Sequence, residues 1–473
     1  MKKPAVNPYL PLYEYVPDGE PRVFEGRLYI YGSHDSAGGG FFCLEDYVAW
    51  SAPEDDLSDW RYEGVIYRKD QDPHNPEGKL VLFAPDVVRG PDGRYYLYYC
   101  LQMLPEFGVA VSDRPEGPFD FYGHIHWPDG RLLDSHMPYD PSVLVDGDGK
   151  VYLYYGFSSE MLSRRFHTEV SPGAMVVELA ADMLTVLTEP KCCVPWEGKA
   201  GGTSFEGHAY FEAPSMRRIG GRYYLVYSSQ WCRELCYGVS DRPDSGFTYG
   251  GVIVDNSDMG MHGRTLPACI PGNNHGGLVK VSGQTYIFYH RHTHGTSFSR
   301  QGCAEAVEVL PDGSIPQVEI TSCGLNGGPL PARGTWPAAI ACHLTGKDPA
   351  YLLDFRNVDR EAIPYIFEAG TGEPDTEQFI HNVTDGAVIG FKYFEGNVSA
   401  VKLWLRGKAS GTISVHLDDP DGAPLARAEI SVESDAWEVF DVPAAFTGTH
   451  ALYFRYEGQG HLDFRQFALE DEA

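Results

Sequence analysis

The sequence predicts an all-β chain. A five-bladed β-propeller spans residues 1–325, a connector follows at 326–345, and a jelly-roll-like β-sandwich occupies 346–473. Three observations carry this. One turn-plus-strand unit recurs five times, its copies stand at blade-sized intervals, and the last third of the chain alternates apolar with polar residues.

The unit is plainest at Asp140–Tyr155. A polar tip, Asp140-Pro141, leads into an apolar strand (Ser142 to Val145), an Asp-Gly turn and a Tyr-rich second strand, which is the pattern of a hairpin. The same turn and second strand return at Gly26–Tyr31, Gly93–Tyr98, Gly149–Tyr154, Gly221–Val226 and Gly283–Phe288. Tyr29, Tyr96, Tyr152, Tyr224 and Tyr286 align, with gaps of 67, 56, 72 and 62 residues by subtraction. Each gap has room for about four short strands and their loops. Ahead of each tyrosine, by 9 to 12 residues, stands an ionisable group: Glu20, Asp86, Asp140, Glu212 and His275. The innermost strand of every blade lines the central channel, so these groups are expected to converge on one mouth.

Taken in order, residues 1–16 form an extended, proline-punctuated lead-in, and the blades follow with few helices. The stretch Glu178–Leu187 is the best helical segment, though it suits a strand and turn equally. An outer-strand echo, Gly108–Pro115 against Gly238–Pro243, supports repeated blades over a single sandwich. The Gly/Pro-rich text from Gly324 to Gly334 marks the connector. Beyond it, Ala400–Arg406, Thr412–Leu417, Ala428–Val432 and His450–Tyr456 alternate with period two, as sandwich strands do.

Aromatic residues make up 13% of the 473 residues, and 53 Gly and 34 Pro supply turns, a composition that suits a β-rich globular protein. A formal net charge of −29 argues against nucleic acid and anionic membranes and fits a neutral ligand such as a sugar. The ten cysteines include no CxxC pair, which points to reduced core thiols rather than a zinc ribbon. The first residues carry no apolar signal region and no run of 18 apolar residues occurs, so a cytoplasmic location is expected.

The motifs resemble glycoside hydrolase family 43, five-bladed propellers that cleave arabinose- and xylose-containing glycans. The matching stretches are Glu20-Pro21 with Tyr29–Ser33, Ala84-Pro85-Asp86-Val87, Asp140-Pro141-Ser142-Val143, Phe211-Glu212-Ala213-Pro214 and Asn274-His275-Gly276-Gly277. The tail, Gly458–Phe464, resembles a family 6 carbohydrate-binding module. The resemblance implies Glu212 as general acid and Asp140 as the carboxylate that orients it and raises its pKa. The family's base is the Asp of an early Asp-Pro dipeptide. Here the text reads Pro17-Asp18-Gly19-Glu20-Pro21, so Glu20 holds the place before proline and is the favoured base, with Asp18 as its rival. The matching His275 implies a hydrated metal ion or a water on the axis, calcium being the usual ion; a calcium ion in the C-terminal sandwich is the other possible site. No metal is expected in the chemical step.

Inverting hydrolysis needs a protonated carboxyl on the leaving oxygen and a carboxylate that activates water on the opposite face of the sugar. Burial and a neighbouring like charge hold the acid protonated. Each assignment has a plainer rival. Asp140 could be a turn-capping aspartate, Glu212 a solvated carboxylate, Asp86 a substrate contact or a backbone tie, and His275 a structural imidazole. Arg300 suits a sugar hydroxyl or a structural ion pair. Sugar faces stack on aromatic rings, and Phe83, Tyr139, Trp231 and Phe41 are the wall residues nearest in sequence. The run His290–His294 is expected to line the pocket rim. The resulting expectation is an inverting, exo-acting α-L-arabinofuranosidase or β-xylosidase acting on an oligosaccharide. A galactan- or galactofuranose-directed enzyme and a non-catalytic sugar-binding propeller are the alternatives, and the oligomeric state is left open.

Overall fold

The computed structural model describes residues 3–166, 170–348, 360–370 and 376–471. Four antiparallel four-stranded sheets and one three-stranded sheet follow one another along the chain. Blade 1 comprises β1 (Glu20–Phe24), β2 (Arg27–Tyr31), β3 (Tyr47–Pro53) and β4 (Arg61–Tyr67). Blade 2 comprises β5 (Leu82–Arg89), β6 (Tyr95–Leu101), β7 (Phe107–Ser112) and β8 (Asp120–His124). Blade 3 comprises β9 (Ser142–Val145), β10 (Val151–Tyr155), β11 (Gly173–Leu179) and β12 (Lys191–Pro195). Blade 4 comprises β13 (Tyr210–Ile219), β14 (Arg222–Ser229), β15 (Glu234–Ser240) and β16 (Thr248–Asp255). Blade 5 has β17 (Leu278–Val281), β18 (Gln284–Arg291) and β19 (Gln301–Val307). The first strands β1, β5, β9, β13 and β17 pack each against the next, and β17 packs back on β1, so the ring closes.

The repeated tyrosines all lie on the second strand of their blades. This strand is central, so its side chains fill the space between blades, and neighbouring tyrosines use their hydroxyls as ties. Tyr31 donates to Pro115 O, Tyr98 to Met183 O, Tyr154 to Pro243 O and Tyr224 to Gly313 O, each crossing to a later segment of the ring. A buried phenol needs such a partner, and the repeated Ser-Asp-Arg-Pro turns after β7 and β15 supply two of them. The segment Glu178–Leu187 ends strand β11 and turns back, so the strand alternative holds there. Short helices lie instead at α1 (Glu160–Phe166) and α2 (Glu197–Ala200).

Blade 5 is narrower than expected because the lead-in takes the outer place. Tyr9 N donates to Gly302 O, and the buried Asn7 side chain bonds Ala304 O, Glu305 and Thr321 O while accepting from Ala304 N. The first and last parts of the propeller are thereby joined.

The C-terminal domain is a sheet of eight strands curled around its own apolar core, as expected for a sandwich. Its strands are β20 (Leu330–Pro331), β21 (Gly334–Pro337), β22 (His343–Thr345), β23 (Tyr365–Glu368), β24 (Gln378–Val383), β25 (Val388–Leu417), β26 (Ala426–Val442) and β27 (Phe446–Asp471). Val401, Leu403 and Leu405 alternate inward along β25, which is the period-two signal seen in the sequence. Residues expected as a free connector at 326–345 are in fact part of this domain: β20 and β22 pair with β25, and β21 pairs with β27. The ten cysteines form no disulfide. Among the described residues no helix is long and apolar enough to cross a membrane.

Candidate active site

Two arginine–carboxylate locks make the floor of the channel. Arg22 on β1 grips both oxygens of Asp86 on β5 and donates to Val143 O on β9. Val143 N also donates to Asp86, which has no exposed surface. Asp86 therefore ties three blades together, and a sugar cannot reach it; of its two expected roles the backbone tie is the one this geometry provides. Arg217 on β13 donates to Glu20 Oε2 at 2.5 Å, to Pro21 O and to Leu278 O, joining blades 4, 1 and 5. Ser215 Oγ adds a bond to the same Glu20 oxygen at 3.1 Å. Gly277 leaves room for this lock, since a Cβ there would lie 2.3 Å from Ser215 Oγ and 2.9 Å from Glu20 Oε2.

Above the floor sits a second group: Asp18, Asp140, Glu212 and Arg300. Asp18 precedes β1 with φ 56°, a left-handed conformation that Asp tolerates better than most residues. Arg300 Nη1 donates to Asp18 Oδ1 at 3.0 Å, and the Asp18 backbone N–H donates to His290 Nδ1 at 3.2 Å. That bond leaves the other His290 ring nitrogen, Nε2, to donate to Asn273 O at 2.7 Å, and burial keeps the ring neutral. Arg300 is itself fixed by Asp35, which accepts from its Nε, Nη2 and backbone N–H at 2.9 to 3.1 Å, and it lies over the Phe42 ring.

Asp140 (φ 53°) caps the tip of blade 3, and Ala213 N donates to its Oδ2 at 3.1 Å. Ala213, beside Glu212, has φ 63°. A left-handed alanine costs energy, and such strain gathers at functional sites. The register of β13 also shifts on both sides of Glu212, a bulge that re-aims its side chain. Glu212 keeps part of its surface open, and among the described residues its carboxyl accepts no hydrogen bond.

The electrostatics divide these acids. Burial pushes Glu212 well above the usual carboxylate range, and the charges of Asp140 and then Asp18 push it further. Asp140 is raised as well, by burial and by Asp18, against the pull of His275. Burial alone would raise Asp18 too, but the Arg300 guanidinium, with smaller help from the imidazoles of His290 and His275 and a hydrogen bond from Ser33, outweighs it and holds this carboxyl down to about 2. A protonated carboxyl and an ionised one thus face the same mouth, one from blade 4 and one from the entry to blade 1.

The remaining expected residues are distributed around this centre. His275 Nε2 lies 3.8 Å from Glu20 Oε1, a buried oxygen without a hydrogen-bond partner. Phe83, Tyr139, Phe157 and Phe211 form a chain of ring contacts at 5.1 to 6.2 Å on the Asp140–Glu212 side. Phe157 and Phe211 join this chain without being among the expected residues; Phe211 adjoins Glu212 in sequence, whereas Phe157 has no such signal. Phe41 packs with Phe42 and Phe298 on the Arg300 side. Trp231 is half exposed, with its indole N–H on Gly207 O and Arg233 against its ring. His290, His292 and His294 are buried behind the pocket, not on its rim. Asp35, which sets Arg300, was also missed, because its partner lies 265 residues away.

The sequence profile of Glycosyl hydrolases family 43 matches residues 17–315, the whole propeller. A protein named xylosidase/arabinosidase from Thermoclostridium stercorarium is 47% identical over 99% of both chains. A family 43 enzyme from Xanthomonas citri, solved with xylose, is 27% identical and covers 67% of this chain and 93% of its own, with TM-score 0.54. An arabinoxylan arabinofuranohydrolase from Bacillus subtilis is 20% identical, and with TM-score 0.50 over 98% of this chain and 97% of its own it shares the two-domain fold. With its ring of five blades and a profile match across all of them, this chain belongs to glycosyl hydrolase family 43 and is a glycoside hydrolase.

Proposed function

We propose that the protein is an inverting, exo-acting β-xylosidase or α-L-arabinofuranosidase in which Glu212 is the general acid, Asp18 the general base and Asp140 the group that orients and tunes the acid. The observation that carries this reading is the contrast between two carboxyls at one mouth: Asp18 is paired with Arg300 at 3.0 Å and held down, whereas Glu212 has no hydrogen-bond partner among the described residues and is pushed up. Titrating groups whose surroundings drive them apart mark acid and base. The similarity to a protein named xylosidase/arabinosidase along the full chain supports the sugar class.

In this mechanism the sugar sits between Asp18 and Glu212 against the Phe83–Tyr139–Phe157–Phe211 wall. Glu212 donates its proton to the leaving oxygen as the glycosidic bond breaks. A water on the opposite face gives its proton to Asp18 and its oxygen to the anomeric carbon, which inverts configuration. Arg300 keeps Asp18 ionised and aimed, and Asp140 holds the strand turn at Ala213 while its charge keeps Glu212 protonated. Glu20, the base favoured by position, is assigned instead to the floor, since Arg217 and Ser215 hold one of its oxygens and the other faces His275. Its free Oε1 and the His275 ring fit a water or a hydrated cation on the axis. Two donors, one of them nitrogen, suit a hydrated ion better than directly ligated calcium, which favours six or more oxygens. Such an ion would supply positive potential beneath the mouth. Among the described residues no cluster of three metal-binding side chains lies in the C-terminal domain.

The test is hydrolysis of p-nitrophenyl β-xyloside and α-L-arabinofuranoside, with the anomer released followed by NMR. Turnover with inverted product is expected, and Glu212→Gln should lower kcat by about 10³-fold or more on unactivated xylobiose while leaving the fold intact. Product of retained configuration, or a Glu212→Gln enzyme near full rate, would refute the assignment.

A further inference from the structure

At the outer corner of blade 2 the chain gathers Asp72, His74, Glu106 and His124. We propose that these four side chains form a divalent-metal site of the zinc class that clasps the segment between blades 1 and 2 to the last strand of blade 2.

The first argument is geometric. Ligand atoms of Asp72, His74 and His124 all lie within 4.8 Å of one another. His124 Nε2 is 3.2 Å from both Asp72 oxygens and 3.9 Å from Glu106 Oε1, while His74 Nδ1 is 2.5 Å from that same Glu106 oxygen. Two imidazoles and two carboxylates make a tetrahedral N₂O₂ set. At metal–ligand distances of about 2.0–2.2 Å, ligands of one ion stand about 3.3 Å apart, so the His74–Glu106 pair has to open by about 1 Å and Glu106, 3.9 Å from His124 and outside the three-residue cluster, has to close in as the fourth ligand.

The second argument is that the donors are held in place. Tyr99 OH donates to Asp72 Oδ2 at 2.6 Å, and the buried Asn75 side chain closes the turn onto Lys69 O, Leu80 O and Leu80 N. The two imidazole rings stack in parallel, 4.2 Å between centroids and 11° between planes, so the half-exposed His74 ring is the one that turns to bring its lone pair onto an ion held by Asp72 and His124. Entry is available too: the His74 side chain is 45% exposed, against 1% for Asp72 and 11% for both Glu106 and His124.

The third argument is charge. Two nearly buried carboxylates here have only imidazoles as ion-pair partners among the described residues. Blade 4 provides the contrast. There His208, Glu234 and Cys236 gather at a comparable corner, but Arg233 lies 3.6 Å from Glu234 and already supplies the positive charge. Blade 2 has no such arginine, and a dication would meet that need.

The experiment uses the full chain stripped with chelator and dialysed, then titrated with Zn²⁺ by calorimetry and with Co²⁺ by visible absorption. One equivalent should bind, with the intense visible bands of a tetrahedral cobalt site, and Tm should rise as metal is added. His74→Gln, at a half-exposed ring that folding does not need, and Glu106→Gln should each weaken binding at least tenfold. Cys236→Ser should leave it unchanged. The proposal fails if no stoichiometric ion binds, if His74→Gln binds as tightly as the parent, or if binding is lost through Cys236→Ser or His275→Ala instead.

Discussion

Asp18 and Glu20 are two residues apart, and on a regular strand they would share one face. They separate because Asp18 adopts a left-handed φ while Glu20 begins the paired part of β1 opposite Tyr31. Their partners are far away in sequence: Arg300 for Asp18 and Arg217 for Glu20, at separations of 282 and 197 residues. Position before proline is a local signal and does not weigh those partners, so the sequence singles out both acids, and the proposed ranking of Asp18 over Glu20 rests on contacts that only the fold brings together. Glu212 was legible because Phe211 and Ala213-Pro214 announce an apolar setting. At this scale the role of Asp140 has a direct consequence for pH. Its negative charge raises Glu212, so Asp140→Asn removes that push and lowers the acid's pKa. The proton needed for leaving-group departure is then lost at lower pH. The alkaline limb of kcat/KM should move down by about one unit, a step typical of one close charge, while the acid limb, governed by Asp18 held at about 2, stays well below neutrality. A pH–rate profile of the variant with an unmoved alkaline limb would remove Asp140 from the tuning role.

At the scale of elements, the second strands were legible because a central strand between blades must be apolar on both faces and tyrosine can fill that space while bonding the next blade. The tips were legible by their constant offset from those strands. Blade 5 was not, for its missing outer strand is replaced by a lead-in without strand periodicity. Nor was the connector, where Gly and Pro mask three short strands that pair with residues between Val388 and Leu469. The lead-in hangs on Asn7, whose side chain satisfies Ala304 N and O, Thr321 O and Glu305. Asn7→Ala leaves buried partners unsatisfied and should cost about 2–4 kcal/mol. Chemical denaturation would show this as a lower midpoint, and a loss under 0.5 kcal/mol, roughly that of an ordinary surface change, would mean that the lead-in does not hold the ring shut.

For the whole molecule, the C-terminal domain does more than follow the propeller. Arg360 donates to His294 O and Gly295 O, Ile366 N donates to Thr293 O, and Glu368 accepts from Tyr15, which also meets His294. The segment held in this way leads from His290 at the end of β18 to Arg300, the two residues that together set Asp18. Arg360→Ala, on the surface of the second domain, should therefore lower kcat/KM by about three- to tenfold with little change in Tm, a modest loss of transition-state positioning; steady-state kinetics with an aryl xyloside will report it, and an unchanged value would uncouple the two domains. In the proposed mechanism the ring brings an acid from blade 4 and a base from the threshold of blade 1 to one sugar. The direct measurement is the pair Asp18→Asn and Glu20→Gln, compared in kcat on the same substrate after melting curves show both folded. Asp18→Asn should lose about 10³-fold or more and Glu20→Gln far less. The reverse order, with Glu20→Gln inactive and Asp18→Asn near the parent rate, would contradict the account.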